Sequence, residues 1–128
     1  MASTESRTLV IDLWECEATP LAAPVNHTLS KKLCEALGQA SRGTNLYYGY
    51  KGAGTIAAFT FTDALITLRS YPSRQYAACV VDWYDAEIPH TIVQTLTMLF
   101  KSKRVVVASI IHGCRGEEPI RLLEIYEP

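Results

Sequence analysis

No two of the four cysteines, Cys16, Cys34, Cys79 and Cys114, stand at the C-x-x-C spacing of a zinc or redox motif. Cys34 and Cys79 fall inside apolar patterns and read as small buried hydrophobes. His112 and Cys114 make an H-x-C pair, but a tetrahedral metal site needs two more ligands at fixed spacing. No metal is expected. Basic charge is also sparse: 12 Lys and Arg against 13 Asp and Glu give a net charge of −1. The short basic runs are Lys31-Lys32 and Lys101 to Arg104, and the second reads as a solvated helix end. A nucleic-acid partner, which calls for a basic face, is not expected. Met1 to Arg7 is polar and lacks the apolar core of a secretory leader. No apolar run approaches the length of a membrane span, so no membrane partner is expected either. The default setting is reducing and cytoplasmic. Repeats, low-complexity tracts and linkers are absent.

What remains is a chain of 128 residues, 48% apolar, which suits one domain over 1–128 with one core. Thr8 to Glu15 alternates, with Leu9, Ile11 and Leu13 on one face and Asp12 on the other, the pattern of a half-buried strand. Leu29, Leu33, Leu37 and Ala40 recur at helical spacing and predict a helix from about Asn26 to Ala40, capped by Asn26 or Thr28 and stopped by Gly43. Asn45–Tyr50, Thr55–Thr62 and Leu65–Tyr71 read as strands, with a weak turn at Asp63-Ala64. Tyr76–Trp83 is a near-continuous apolar run, suited to a central strand. Pro89 at a first helical position and the apolar set Ile92, Val93, Leu96, Leu99 and Phe100 predict a second helix. Lys103–Ile111 follows as a buried strand, then a polar loop over 112–120, then a short edge strand at Arg121–Tyr126.

Strands that run consecutively between two helices favour a mainly antiparallel sheet. Two helices cover one face of it, which gives a two-layer α/β sandwich. The other face carries apolar and aromatic residues and is expected to meet a second copy of the chain, in a dimer-based homo-oligomer.

Several segments also resemble a known family. Asp12-Leu13-Trp14-Glu15-Cys16-Glu17 is similar to the first-strand end of bacterial pyruvoyl-dependent S-adenosylmethionine decarboxylases, with their acidic-aromatic-aromatic-Glu-Cys-Asp pattern. Leu68 to Ala78 (LRSYPSRQYAA) resembles their Ile-His-Thr-Trp-Pro-Glu-x-Gly-Tyr-Ala-Ala segment, and Lys101 to Val105 their Lys-x-Lys-Arg-Val run. The order and spacing of these segments hold over about residues 8–111. The resemblance implies a decarboxylase-like sandwich and a link to polyamine metabolism. In that family a serine rearranges into a pyruvoyl group, the electron sink for decarboxylation. A histidine assists the processing and a cysteine supplies a proton.

In a gapless register those three positions fall on Ala64, Arg69 and Tyr84. Alanine has no hydroxyl with which to form a pyruvoyl group, so no such cofactor and no decarboxylase chemistry are expected. The resemblance places an adenine-stacking aromatic at Tyr50 and a nucleoside-contacting position at Ser73. Ligand-binding candidates are therefore Tyr50, Asp63, Leu65, Arg69, Ser73 and Tyr84. Bland readings stand beside them. Tyr47, Tyr48 and Tyr50 also suit a packed interface strand, and Arg69 suits an ion pair with Asp63, Asp82 or Asp85. Asp85 and Glu87 suit a helix N-terminus.

Three functions stay open. The first is an inactive decarboxylase-like protein that binds S-adenosylmethionine or a related metabolite, or regulates an active decarboxylase paralogue. The second is an enzyme of another class acting on S-adenosylmethionine without a pyruvoyl group, through Tyr84, Arg69 and Asp63. The third is an oligomeric interaction module with no small-molecule ligand.

Overall fold

A computed structural model describes residues 5–19, 27–41, 46–50, 54–84 and 90–128, with backbone alone at 27, 28, 46–50 and 84. In chain order the elements are β1 (Ser6–Trp14), α1 (His27–Leu37), β2 (Leu46–Tyr50), β3 (Gly54–Thr60), β4 (Ala64–Tyr71), β5 (Tyr76–Tyr84), α2 (Thr91–Phe100), β6 (Arg104–His112) and β7 (Ile120–Tyr126). The strands form one seven-stranded sheet in the order β2-β3-β4-β5-β1-β6-β7, with every neighbouring pair antiparallel. The expected α/β sandwich is the observed one, with both helices on one face.

The first strand in sequence is the fifth in space, seated between β5 and β6. Its odd positions Leu9, Ile11 and Leu13 turn toward the helices and are buried. The same period-two rule turns Ala64, Ile66 and Leu68 of β4, and Ala77, Cys79 and Val81 of β5, into the core. Leu29, Leu33 and Leu37 of α1 and Ile92, Val93, Leu96 and Phe100 of α2 close over them. Their spacing puts each set on a single helical face. Thr91 Oγ1 donates to the Ala36 carbonyl at 2.7 Å and ties the two helices together.

Both ends of α1 bear on the expectation. α1 stops at Gly38 and not at Gly43. Gly38 adopts φ +66°, the Gly38 N–H bonds Glu35 O, and the Gln39 N–H bonds Cys34 O. That pair of bonds is a Schellman stop, for which glycine is the favoured residue. α2 ends in the same way at Lys101, a lysine held at φ +46°. Thr28 lies inside α1, one residue past its start, and so is not its cap, while Asn26 and the Pro89 start of α2 lie outside the described residues. The Asp63-Ala64 turn is a tight hairpin in which the Phe61 N–H bonds Ala64 O at 2.8 Å.

Lys103 and Arg104 pair with Glu17 and Glu127, in each case at 2.8 Å on the exposed surface. The basic run is a solvated helix end, as expected. No described helix is long and apolar enough to cross a membrane.

Candidate functional site

Among the described residues no helix covers the second face of the sheet. Its middle is lined by small and apolar side chains, among them Val10, Ala78, Val80, Val106 and Ala108, all half-buried. Polar chemistry gathers at the two ends.

At one end three strands contribute one residue each. Thr8 of β1 sits directly opposite Asp82 of β5. Its Oγ1 lies 2.8 Å from Asp82 Oδ1 and 3.0 Å from His112 Nε2 of β6. A carboxylate only accepts and a threonine hydroxyl has one hydrogen. The Thr8 O–H therefore donates to Asp82, and His112 donates its Nε2–H to Thr8. The hydroxyl is engaged by the acid and is not activated by the imidazole, so the trio orients and holds polar groups. It is not arranged as a nucleophile and base.

The other end carries an aromatic strip. Tyr76 of β5 lies between Trp14 of β1, at a ring-centroid distance of 4.3 Å and 35° between planes, and Tyr71 of β4, at 5.9 Å and 20°. The Tyr76 hydroxyl donates to Asp12 Oδ1 at 2.6 Å. Its pKa is pushed up to about 12, first by partial burial and then by the hydrogen bond and charge of Asp12, with Arg69 acting in the opposite direction. Trp14 stays 40% exposed, a large ring face open to solvent.

The residues singled out from the sequence divide between these ends. Asp63 lies in the exposed hairpin turn and its N–H bonds Gln39 Oε1 at 2.9 Å. Leu65 is paired with Asp82, next to the Thr8 trio. The backbone of Tyr84 faces Ser6 at the same end. Arg69, Ser73 and the backbone of Tyr50 belong to the aromatic end. Arg69 is opposite Ala78, Tyr50 opposite Gly54, and Ser73 is exposed in the 3-10 turn after β4. Over the eight residues of β4 the two ends lie about 23 Å apart. Within one chain the candidates therefore do not converge on a single site. The side chains of Tyr50 and Tyr84 lie outside the described residues.

The geometry bears on two expectations, with Asp85, one of the three partners considered for Arg69, outside the described residues. Arg69 is exposed, and among the described residues no carboxylate lies within ion-pair distance of it. Asp82 is opposite Leu65, four positions along β4 from Arg69 and so about 13 Å away, and it accepts from Thr8 on β1 instead. Cys79 is fully buried and burial alone pushes its thiol far up, so it is a core residue. Cys16 is buried too, and its thiol donates to Leu13 O. Among the described residues no group of three His, Cys, Asp or Glu side chains is placed to hold a metal.

Sequence reasoning missed Thr8, His112, Trp14 and Tyr76 as site residues. The alternation of β1 was a usable signal, since Thr8, Asp12 and Trp14 share the face opposite the core set. The pairing of β1 with both β5 and β6 was not readable.

The architecture defines the class: a two-layer sandwich with a wholly antiparallel seven-stranded sheet, two helices on one face and an open, polar-ended second face. The particular likeness is to the crystal structure of the adenosylmethionine decarboxylase from Aquifex aeolicus VF5, at a TM-score of 0.68 and 15% identity, covering 91% of this chain and 97% of that one. The relationship is one of fold. No protein-family model matches the chain, and no curated protein matches it.

Proposed function

We propose that this chain is a catalytically inactive S-adenosylmethionine decarboxylase-like protein. In this reading it binds S-adenosylmethionine or a related adenosine compound on the open sheet face, as one cytoplasmic domain in a dimer-based homo-oligomer. Its role in polyamine metabolism is that of a ligand sensor or of a regulator of an active decarboxylase paralogue.

The observation that carries this reading is the aromatic strip Trp14–Tyr76–Tyr71, with Asp12 bonded to its centre and the exposed cation Arg69, which has no ion-pair partner among the described residues, near enough to act on Tyr76. An exposed ring face stacks a base of any sequence. A carboxylate and a guanidinium near it suit the amine and carboxylate of an amino-acid tail. Tyr50 and Ser73, which the family resemblance marks for nucleoside contact, belong to the same end of the sheet. The absence of decarboxylase chemistry is supported by Ala64. Its methyl group is 1% exposed and faces the helices, and it has no hydroxyl from which a pyruvoyl group could form. The residues present do not fit that group.

An interaction module without a ligand is favoured by a different observation, the broad apolar middle of the open face. Small-molecule content separates the two readings. Protein purified natively, then denatured and extracted, should release an adenosine compound detectable by mass spectrometry. Extracts free of any nucleoside, together with a stable oligomer, would favour the module.

A further inference from the structure

The sheet ends at β7, and β7 is unusual for an edge. Ile120, Leu122 and Ile125 are 70%, 58% and 62% exposed, and Leu123 is 44% exposed. Natural edges are blunted with lysine, proline or inward charge. β7 has no lysine, its flanking prolines, Pro119 and Pro128, stand outside the strand, and its two charges, Arg121 and Glu124, are of opposite sign, so they repel an identical edge only in a register that sets like against like.

The register of β7 against β6 contains one irregularity. Ile110 is opposite Leu122 while Ser109 is opposite Glu124, so Leu123 is the extra residue of a bulge. A bulge shifts the period-two alternation by one. Arg121 and Glu124 are three apart and in a regular strand would lie on opposite faces. Here Arg121 is opposite Ile111 and Glu124 opposite Ser109, so both lie on the helix side. Ile120, Leu122 and Ile125, opposite His112, Ile110 and Ala108, all lie on the open side. Neither Arg121 nor Glu124 has an ion-pair partner among the described residues.

We infer that β7 is a self-complementary edge that pairs antiparallel with β7 of a second copy. The two-fold axis passes between Leu122 and Leu123, perpendicular to the sheet. Such an axis keeps each side chain on its own face, so partners must come from the same face of each strand. About this axis Arg121 meets the partner's Glu124, twice by symmetry, and Ile120 meets the partner's Ile125. Only the bulge makes this register consistent for the charged pair and the isoleucine pair together. Opposite charges set directly across two strands stabilise the pairing, and like charges oppose it. The contact extends the sheet sideways and leaves the open face free, so it does not depend on the ligand-binding reading.

Charge-swap variants test the register, with sedimentation velocity across the micromolar range. Arg121→Glu sets two glutamates against each other on both sides of the axis, and Glu124→Arg does the same with arginines. Each variant should dissociate roughly ten-fold more readily than wild type. An equimolar mixture of the two variants restores both opposite-charge pairs across the heterodimer and should regain wild-type association. That rescue also shows that neither variant is misfolded. A wild type that stays monomeric overturns the proposal. So do single variants that associate like wild type, or a mixture no better than its components. The last two results are what association through the open face alone predicts.

Discussion

Tyr76 and Asp12 are joined across β5 and β1 by a 2.6 Å hydrogen bond from the phenol to the carboxylate. The bond fixes the middle ring of the aromatic strip, and partial burial, with the bond and charge of Asp12 added to it, keeps the phenol protonated up to a pH of about 12. The folded pKa lies above the ordinary value of about 10, so the neutral form is the one that folding favours. The resulting stability is fully present below pH 10 and is lost as pH rises toward 12. Urea unfolding at steps between pH 8 and 12 should show that decline in wild type, and Tyr76→Phe should remove this part of it. At neutral pH Tyr76→Phe should cost about 1–2 kcal/mol through the lost bond. An unchanged alkaline slope in the variant would mean that other groups carry it.

The polar trio at the far end gives a second test. Thr8→Val removes the hydroxyl that joins Asp82 and His112 while nearly conserving shape. It should destabilise by about 1–3 kcal/mol, because two half-buried polar groups lose their partner. Thr8→Ser keeps the hydroxyl and should recover most of the loss. A Thr8→Val variant as stable as wild type, or a Thr8→Ser variant that recovers nothing, would contradict this role for the hydroxyl.

Backbone constraint is concentrated at Gly54, which opens β3 at φ +145°. A Cβ there would lie 2.2 Å from the Ser70 carbonyl oxygen on β4. Gly54→Ala should cost about 1–3 kcal/mol or more, seen as a lowered midpoint in thermal unfolding. Phe100→Ala, which empties a fully buried ring site between helix and sheet, should cost about 3–5 kcal/mol. An alanine at 54 that unfolds like wild type would show that the β3–β4 contact is not tight.

Much of the fold was legible because it rests on local periodicity. Leu9, Ile11 and Leu13 announced a strand, and Ile92, Val93, Leu96 and Phe100 a helix. The antiparallel sandwich followed from the order of the elements. Less was legible where long-range pairing decides. The pairing of Thr8, Asp82 and His112 depends on β1 entering between β5 and β6, which spans over a hundred positions of sequence. Arg69 suited an ion pair because aspartates were expected on the neighbouring strands. Strand register sets Asp82 opposite Leu65 and leaves Asp63 in the hairpin turn, away from Arg69. The division of the candidate site between two ends of β4 follows from strand length, which spacing alone does not turn into a shared pocket.

The inactive reading makes a covalent prediction. The purified protein should give one intact mass, because Ala64 carries no hydroxyl to attack the preceding carbonyl. Two fragments divided between Asp63 and Ala64, the second with a pyruvoyl terminus, would contradict it.

The central claim is that the aromatic end of the open face binds an adenosine compound, and isothermal calorimetry with S-adenosylmethionine tests it most directly. Wild-type protein should bind in the micromolar range, since Ser73 offers no charge to anchor the ribose. A stacked base contributes about 1–3 kcal/mol, so Trp14→Ala and Tyr50→Ala should each weaken binding roughly ten-fold, provided each variant keeps the wild-type oligomeric state. No binding heat from S-adenosylmethionine or any other adenosine compound, or equal affinity in wild type and both variants, would contradict the account.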